Sequence, residues 1–322
     1  MKLTFRDYHS TMVLKEYSEQ NKTIKLFLSE YFRKNKSIGS KDRKEIADNI
    51  YNILRYKILL DHFLKKGISW EKRLNFFKTN NIKDLQKKVR NPSIRVSFPK
   101  KLFQLLVKNY SEEKAEKICN VLNEKAPITI RANLLKISRE DLFKKLLKNY
   151  KVKLCEKSDV GITFDQNINI FVLEEFQEGL FEVQDEGSQL ISKMVEIFPN
   201  QKVLDYCAGS GGKTLGFAHK MENTGVIYIH DIREKALIES KKRFKRAGIQ
   251  NYQFLTKKNK KNLLNKMDFI LLDVPCSGTG SYRRNPDMKW KFSIELLEEL
   301  LKTQREIFKT ALEYLKDDGK IL

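Results

Sequence analysis

Three periodicities succeed one another along the chain. Up to about residue 90, apolar residues recur three and four positions apart. The clearest case is 41–65, where Ile46, Ile50, Ile53, Leu54 and Ile58 share one helical face. Ser40, after Gly39, is a candidate N-cap, and Gly67 a candidate stop. Shorter helical patterns flank it at 24–32 and 70–77. Asn91-Pro92 and Phe98-Pro99 then read as a linker.

Beyond the linker, helical and alternating patterns mix. Helices are expected at 100–109 and 112–123, the second with Ser111 as a candidate cap. Residues 128–132 alternate like a strand, and Ser138-Arg-Glu-Asp141 is an acidic capping box opening a helix to about Tyr150. Short β-like pieces follow at 152–155, 161–164 and 181–184. From Asp185 onward short apolar runs alternate with helices: helix 188–198, strand 203–205, helix 213–221, strand 226–230, helix 234–247, strands 252–255 and 267–272, helix 294–315. Such runs suit a parallel sheet covered on both faces. The expected organisation is all-α over 1–92, a small α+β region over 93–184, and a doubly wound, Rossmann-like α/β domain over 185–322.

Composition adds one constraint. Hydrophobic residues make up 41%, ordinary for a globular chain, but 63 Lys and Arg against 41 Asp and Glu leave a net charge of +22. That excess favours a polyanionic partner, nucleic acid first and an anionic membrane surface second; a lysine-rich proteome is the bland explanation. The outer face of the long helix, with Lys41, Arg43, Lys44, Arg55 and Lys57, suits solvent or RNA. No apolar run approaches the roughly 20 residues of a spanning helix, and residues 1–10 lack a signal-peptide core. Four scattered cysteines, Cys119, Cys155, Cys207 and Cys276, form no metal or disulfide spacing, which fits a reducing, cytoplasmic setting and no metal.

The chemistry gathers at two turns. Val203-Leu-Asp-Tyr-Cys-Ala-Gly-Ser-Gly-Gly-Lys-Thr214 is a strand entering a glycine-rich turn and then a helix. Glycines there let the backbone approach a ligand, and the helix directs free N–H groups at it. Asp231 ends the next strand, 20 residues after Gly211, where a ribose-binding carboxylate belongs. Gly212-Lys-Thr214 also resembles the end of a triphosphate-binding loop, but that loop needs glycine at 207, which is Cys. Adenosine without a triphosphate is therefore preferred. The second turn is Leu271-Leu-Asp-Val-Pro-Cys-Ser-Gly-Thr-Gly280, where Asp273 and Cys276 are expected to face the same crevice.

Cys207-Ala-Gly-Ser-Gly-Gly-Lys-Thr214, Asp273-Val-Pro-Cys-Ser-Gly-Thr-Gly280 and Arg283-Arg-Asn-Pro-Asp287 together resemble the RsmB/Nop/Sun family of RNA cytosine-5 methyltransferases. Gly39-Ser-Lys-Asp-Arg43 with Ile50-Tyr-Asn-Ile-Leu-Arg55 is similar to that family's NusB-like helical extension. Ala126-Pro-Ile-Thr-Ile-Arg-Ala-Asn133 and Phe181-Glu-Val-Gln-Asp-Glu-Gly-Ser-Gln189 are similar to its pre-catalytic RNA-binding region. The resemblance implies a class I methyltransferase domain using S-adenosylmethionine. Cys207, Ala208, Gly209, Ser210, Gly211, Gly212 and Lys213 would hold its amino-acid end, Asp231 its ribose, and Asp273 would lie between cofactor and base. A thiolate adding to carbon 6 of cytosine makes carbon 5 nucleophilic towards the methyl group. Asp273, with Lys213 nearby, would stabilise the adduct, and Cys276 would help release the covalent RNA.

The resemblance also implies two departures. The Thr-Cys nucleophile of the family falls after residue 322, so the domain is expected to be truncated. Where the family has Gly-Asp after the third strand, this chain has Thr256-Lys-Lys-Asn-Lys-Lys261, with no acid between Glu239 and Asp268. Arg283, Arg284, Lys289 and Trp290 are the expected RNA-facing residues. The expected partner is RNA, rRNA ahead of tRNA, acted on by a monomer. A non-catalytic RNA-binding relative, a DNA cytosine-5 methyltransferase and a nucleoside-triphosphate enzyme are the alternatives.

Overall fold

The structure, a computed structural model, describes residues 3–18, 22–166 and 168–322. The chain divides into two compact units, Met1–Ala126 with Cys276–Glu298, and Pro127–Pro275 with Glu299–Leu322.

The first unit is helical. Its N-terminal helices Phe5–Tyr17, Ile24–Lys34, Ser40–Leu64 and Trp70–Thr79 are joined by Ile82–Lys87, Pro92–Arg95, Lys100–Asn109 and Glu112–Asn123. The expected linker at Asn91-Pro92 is instead a helix start. The Asn91 side chain accepts from the Ser93 amide at 3.1 Å, and Pro92 takes the first helical position, where no N–H is missed. In the long helix the cap is Gly39, with Ser40 already helical and no side-chain cap bond.

That helix breaks its geometry at Tyr56, with φ −110° and ψ 17°. Ile46, Ile50, Ile53 and Leu54 before the break face one core, and Leu59 and Leu60 after it face another. The backbone groups freed by the break are taken by side chains. Ser97 Oγ accepts from the amides of Ile58 and Leu59 at 3.0 and 3.3 Å. Trp290 Nε1 donates to the Leu54 carbonyl at 2.9 Å, and Lys289 Nζ to that of Arg55 at 2.5 Å. A helix opened in a protein interior must find such partners or lose about 1–3 kcal/mol per orphan group.

The second unit holds two sheets. In the antiparallel sheet, β1 (Ile128–Ala132), β2 (Val152–Leu154), β3 (Gly161–Phe164) and β4 (Phe181–Val183) lie in the order β2-β3-β1-β4. Helix Arg139–Leu147 covers it; Ser138 caps that helix by accepting from the Asp141 amide at 3.1 Å. The parallel sheet runs β7-β6-β5-β8-β9, with β5 (Lys202–Asp205), β6 (Val226–Ile229), β7 (Tyr252–Phe254), β8 (Met267–Leu271) and β9 (Leu315–Ile321). Helix Glu234–Ala247 ends in a left-handed Gly248 whose N–H returns to the Phe244 carbonyl at 2.9 Å. Val203, Ile227, Ile229, Phe269 and Leu271 fill one face of the sheet, and Leu204, Tyr206, Tyr228, Ile270 and Tyr314 the other. The carboxyl ends of β5, β6 and β8 therefore share one edge, the edge where such sheets place ligands.

The expected helix at 213–221 is a short α-turn, Thr214–Phe217, continued as 3₁₀ over Ala218–Met221. Helix Glu186–Lys193 ends before the expected 198, and Ile294–Leu312 before 315, because Leu315 already opens β9.

Candidate active site

β5 ends at Asp205, and the chain turns through Gly209, with φ 55°, and Gly211, with φ 78°. Each is a left-handed conformation that only glycine adopts at little cost. A Cβ on Gly211 would stand 2.4 Å from Cε1 of the buried Phe244, whereas one on Gly212 meets nothing within 4 Å. Gly211 is thus needed for packing, and Gly212 keeps space open in the loop.

The loop is braced from behind. Arg243 Nη1 donates to the carbonyl and hydroxyl oxygens of Ser210, both at 2.8 Å, while its Nη2 donates to Glu182 of β4 at 3.0 Å. The Gly212 carbonyl accepts from Gln184 Nε2 at 3.1 Å and from Arg131 Nη1 at 3.3 Å. Arg131 is buried, which lowers its pKa to about 10, with Glu182 opposing the shift. These braces lie 28 to 81 residues away along the chain, and nothing local in the sequence signals them.

A cavity of about 450 Å³ opens at this edge, lined by Tyr206, Cys207, His230, Asp231, Ile232, Arg233, Asp273, Pro275, Glu306, Ile307 and Thr310. Its size is that of a small-ligand site. Asp231 accepts from the Gly209 amide at 2.8 Å, tying the loop to the end of β6. It also accepts from the Arg233 amide at 2.9 Å and from the Arg233 guanidinium. Burial works against its charge, but the hydrogen bonds from Arg233 and Gly209 and the Arg233 charge win and lower its pKa. The next residue, Ile232, is 87% exposed, an apolar side chain held at the cavity wall. Tyr206 and His230 stack with centroids 4.3 Å apart, and His230 Nδ1 lies 2.7 Å from the Tyr206 carbonyl.

The Asp273 carboxylate pairs with Lys213 Nζ at 2.8 Å, so the two expected chemical residues of the separate turns meet. The Cys207 thiol is pushed up to about 11, first by burial and then by the charges of Asp205, Asp231 and Asp273, which leaves it protonated and inert at neutral pH. Cys276 is exposed, and its chain neighbour Pro275 lines the cavity.

Asp205 was missed in the sequence because its burial and its bond to Thr214 arise only in the folded loop. It is fully buried and accepts from Thr214 Oγ1 at 2.6 Å, while its Oδ1 has no hydrogen-bond partner among the described residues. Burial raises its pKa to about 7; the Thr214 bond opposes the rise, and the Asp273 charge adds to it.

One expected RNA-facing residue, Lys289, is corrected, and a second, Trp290, is half-buried. Lys289 is 0% exposed. Its Nζ donates to the Arg55 carbonyl, to the Ser97 carbonyl at 2.9 Å and to Asn123 Oδ1 at 2.9 Å, so it cannot reach a phosphate. Trp290 spends its indole N–H on Leu54 and packs against the helical core. Both are drawn inward by the break in helix Ser40–Leu64, which is invisible to periodicity. Arg55, expected on the outer face, is buried as well and donates from Nη2 to the Arg283 carbonyl at 2.8 Å. Arg283 donates from Nη2 to the Lys125 carbonyl at 3.0 Å and lies 3.4 Å from Glu124. Asp287 holds its loop by accepting from Tyr17 at 2.7 Å and from the Ile24 amide at 3.2 Å. Among the described residues no cluster of His, Cys, Asp and Glu could hold a metal, and no helix is long and apolar enough to cross a membrane.

Residues 193–322 match the family described as 16S rRNA methyltransferase RsmB/F, and residues 98–171 match the ferredoxin-like domain of the RsmF/B methyltransferases. The chain belongs to the RsmB/Nop/Sun family of RNA methyltransferases. Within that family it is 29% identical over 235 residues to the probable ribosomal RNA small subunit methyltransferase B of Synechocystis, covering 70% of this chain and 52% of that one. The chain spans about half the length of the curated relatives it matches. Among solved structures, a methyltransferase homologue from Pyrococcus horikoshii aligns with TM-score 0.60 and 29% identity, covering 71% of this chain and 73% of that one. The fold of PH0851 aligns over all of this chain and 85% of that one, with TM-score 0.80 and 22% identity.

Proposed function

We propose that the cavity binds S-adenosylmethionine and that the chain serves the methylation of carbon 5 of a cytosine in RNA, with small-subunit rRNA as substrate ahead of tRNA. The observation that carries this reading is that Cys207 of the glycine-rich turn, Asp231, which holds the Gly209 amide, and Asp273, which pairs with Lys213, line one cavity. The residues fit such a donor. The loop leaves open space at Gly212, Asp231 is held charged by Gly209 and Arg233 so that it can accept from ribose hydroxyls, and exposed Ile232 offers an apolar surface to a flat base. A triphosphate is disfavoured, because Asp231, Asp273 and Glu306 would all face it.

When bound, S-adenosylmethionine supplies a methyl group on a positively charged sulfur. The chain's residues seat the donor and the base. Gly209, Ser210 and Gly212 would shape the loop beside the donor, and Asp273 would accept a hydrogen bond from the cytosine while a thiolate from the family's Thr-Cys motif adds to carbon 6. Lys213, paired with Asp273, orients that carboxylate. Cys276, exposed at the second turn, is assigned the release of the covalent RNA. The net charge of +22 supplies the attraction for a polyanion.

The test is twofold. Calorimetry should show S-adenosylhomocysteine binding that Asp231→Ala weakens about 10- to 100-fold, the range for losing hydrogen bonds to a charged group. With the family's Thr-Cys nucleophile supplied on an extended chain, incubation with labelled donor and small-subunit rRNA, followed by nucleoside mass spectrometry, should yield 5-methylcytidine. Binding of ATP in preference to S-adenosylhomocysteine would overturn the donor assignment, and label on any other atom would overturn the chemistry.

A further inference from the structure

Three carboxylates line the cavity, and two are committed. Asp231 takes Gly209 and Arg233, and Asp273 takes Lys213. The third, Glu306, stands exposed on helix Ile294–Leu312, and its carboxylate makes no hydrogen bond or ion pair among the described residues. Its backbone is anchored, since the Glu306 carbonyl accepts from Thr310 Oγ1 at 3.0 Å. Ile307 and Thr310 of the same helix, with Tyr206 and Ile232, complete the wall around it.

The exit of β7, the other element beside the parallel-sheet edge, offers nothing comparable. β7 leads into Thr256-Lys-Lys-Asn-Lys-Lys261, which has no acid and does not line the cavity. Its Asn259 amide is already spent, with Oδ1 accepting from the Thr256 amide at 2.7 Å and Nδ2 donating to the Phe254 carbonyl at 3.0 Å. A free carboxylate in a cavity wall is suited to a group with two N–H donors and repels a carbonyl lone pair.

On the reading of this cavity as the donor site, we propose that Glu306 accepts the 6-amino group of the donor's adenine and so selects adenine over hypoxanthine. Ribose on Asp231 and amino group on Glu306 would hold the nucleoside at two points, with Ile232 and Ile307 as its apolar contacts. The helix preceding β9 thereby supplies the base-reading acid that the exit of β7 lacks.

The experiment compares S-adenosylhomocysteine with S-inosylhomocysteine by calorimetry on the full chain. Wild type should prefer the adenosine ligand by about 10-fold or more, the size of one hydrogen bond to a charged group. Glu306→Ala should abolish that preference by weakening the adenosine ligand alone. Glu306→Gln should narrow or reverse it, because an amide can turn its N–H₂ towards the hypoxanthine carbonyl. Asp231→Ala should weaken both ligands equally, confirming that both occupy this cavity. Retention of the wild-type preference in Glu306→Ala overturns the role of Glu306 while leaving the donor site standing. Failure of wild type to bind either ligand overturns the donor site and this proposal with it.

Discussion

Gly211 and Gly212 are neighbours with opposite expected sensitivities. At Gly211, φ is 78° and an added Cβ would lie 2.4 and 2.5 Å from Cε1 and Cζ of Phe244, whose ring is fully buried. A non-glycine residue held left-handed costs about 1–2 kcal/mol. Forcing a methyl group into a packed core costs about 1–3 kcal/mol more. Gly211→Ala should therefore destabilise the second unit by about 2–5 kcal/mol. At Gly212 no atom lies within 4 Å of an added Cβ and φ is not left-handed, so Gly212→Ala should stay within about 1 kcal/mol of wild type. For a unit of this size the Gly211→Ala loss corresponds to roughly 4–20 °C in melting temperature. Scanning calorimetry of the two variants reads it directly. Gly212→Ala should fold normally, with no atom for its methyl group to meet. Equal melting temperatures for the two variants would refute the assignment of Gly211 to packing.

Four further outcomes follow from the same geometry. Asp205 titrates near 7 in the fold and near 3.8 when unfolded, so the folded state binds more protons over that interval and stability should fall as pH rises from about 4 to 7. Asp205→Asn should flatten this slope in melting curves taken across that range. Lys289 is shifted the other way, well below its ordinary pKa by burial, so stability should rise with pH above its folded pKa until the unfolded lysine also deprotonates, near 10.4. Lys289→Met should remove that rise and leave RNA affinity unchanged in filter binding, whereas an RNA contact would be lost with it. In alkylation followed by peptide mass spectrometry at pH 8, exposed Cys276 should react first; Cys207 and Cys119, whose pKa values burial raises to about 11 and about 12, should lag well behind. RNA affinity should drop steeply with added salt, each released phosphate contact contributing a slope of about −0.7 to −0.9 in a log–log plot.

The cavity's main parts were legible because they are local. A short apolar strand, a glycine turn and an acid at the end of the next strand are adjacent in sequence. The parallel register then carries Asp205, Ile229 and Leu271 to one edge, with Asp231 and Asp273 two residues beyond. Gly209, Gly211 and Asp231 could be named in advance from turn chemistry and strand spacing, and Asp273 from the likeness of its turn to the family's motif. The Asn91-Pro92 segment shows the limit of such rules, since the same two residues that mark a turn also cap and start a helix.

What tertiary structure decided is where side chains spend their polar groups. Arg131, Glu182 and Arg243 could not be seen as braces of the glycine loop, because their partners lie in a different sheet or helix. Lys289 read as a nucleic-acid contact, yet a break in a helix more than 200 residues earlier supplies a carbonyl that draws it inside, and the same break ties the indole N–H of half-buried Trp290. A lysine facing solvent and one facing three buried oxygens are spelled identically. Unmet hydrogen bonds exist only once distant backbone has come together, and the free energy of satisfying them settles which charges remain outside for a ligand.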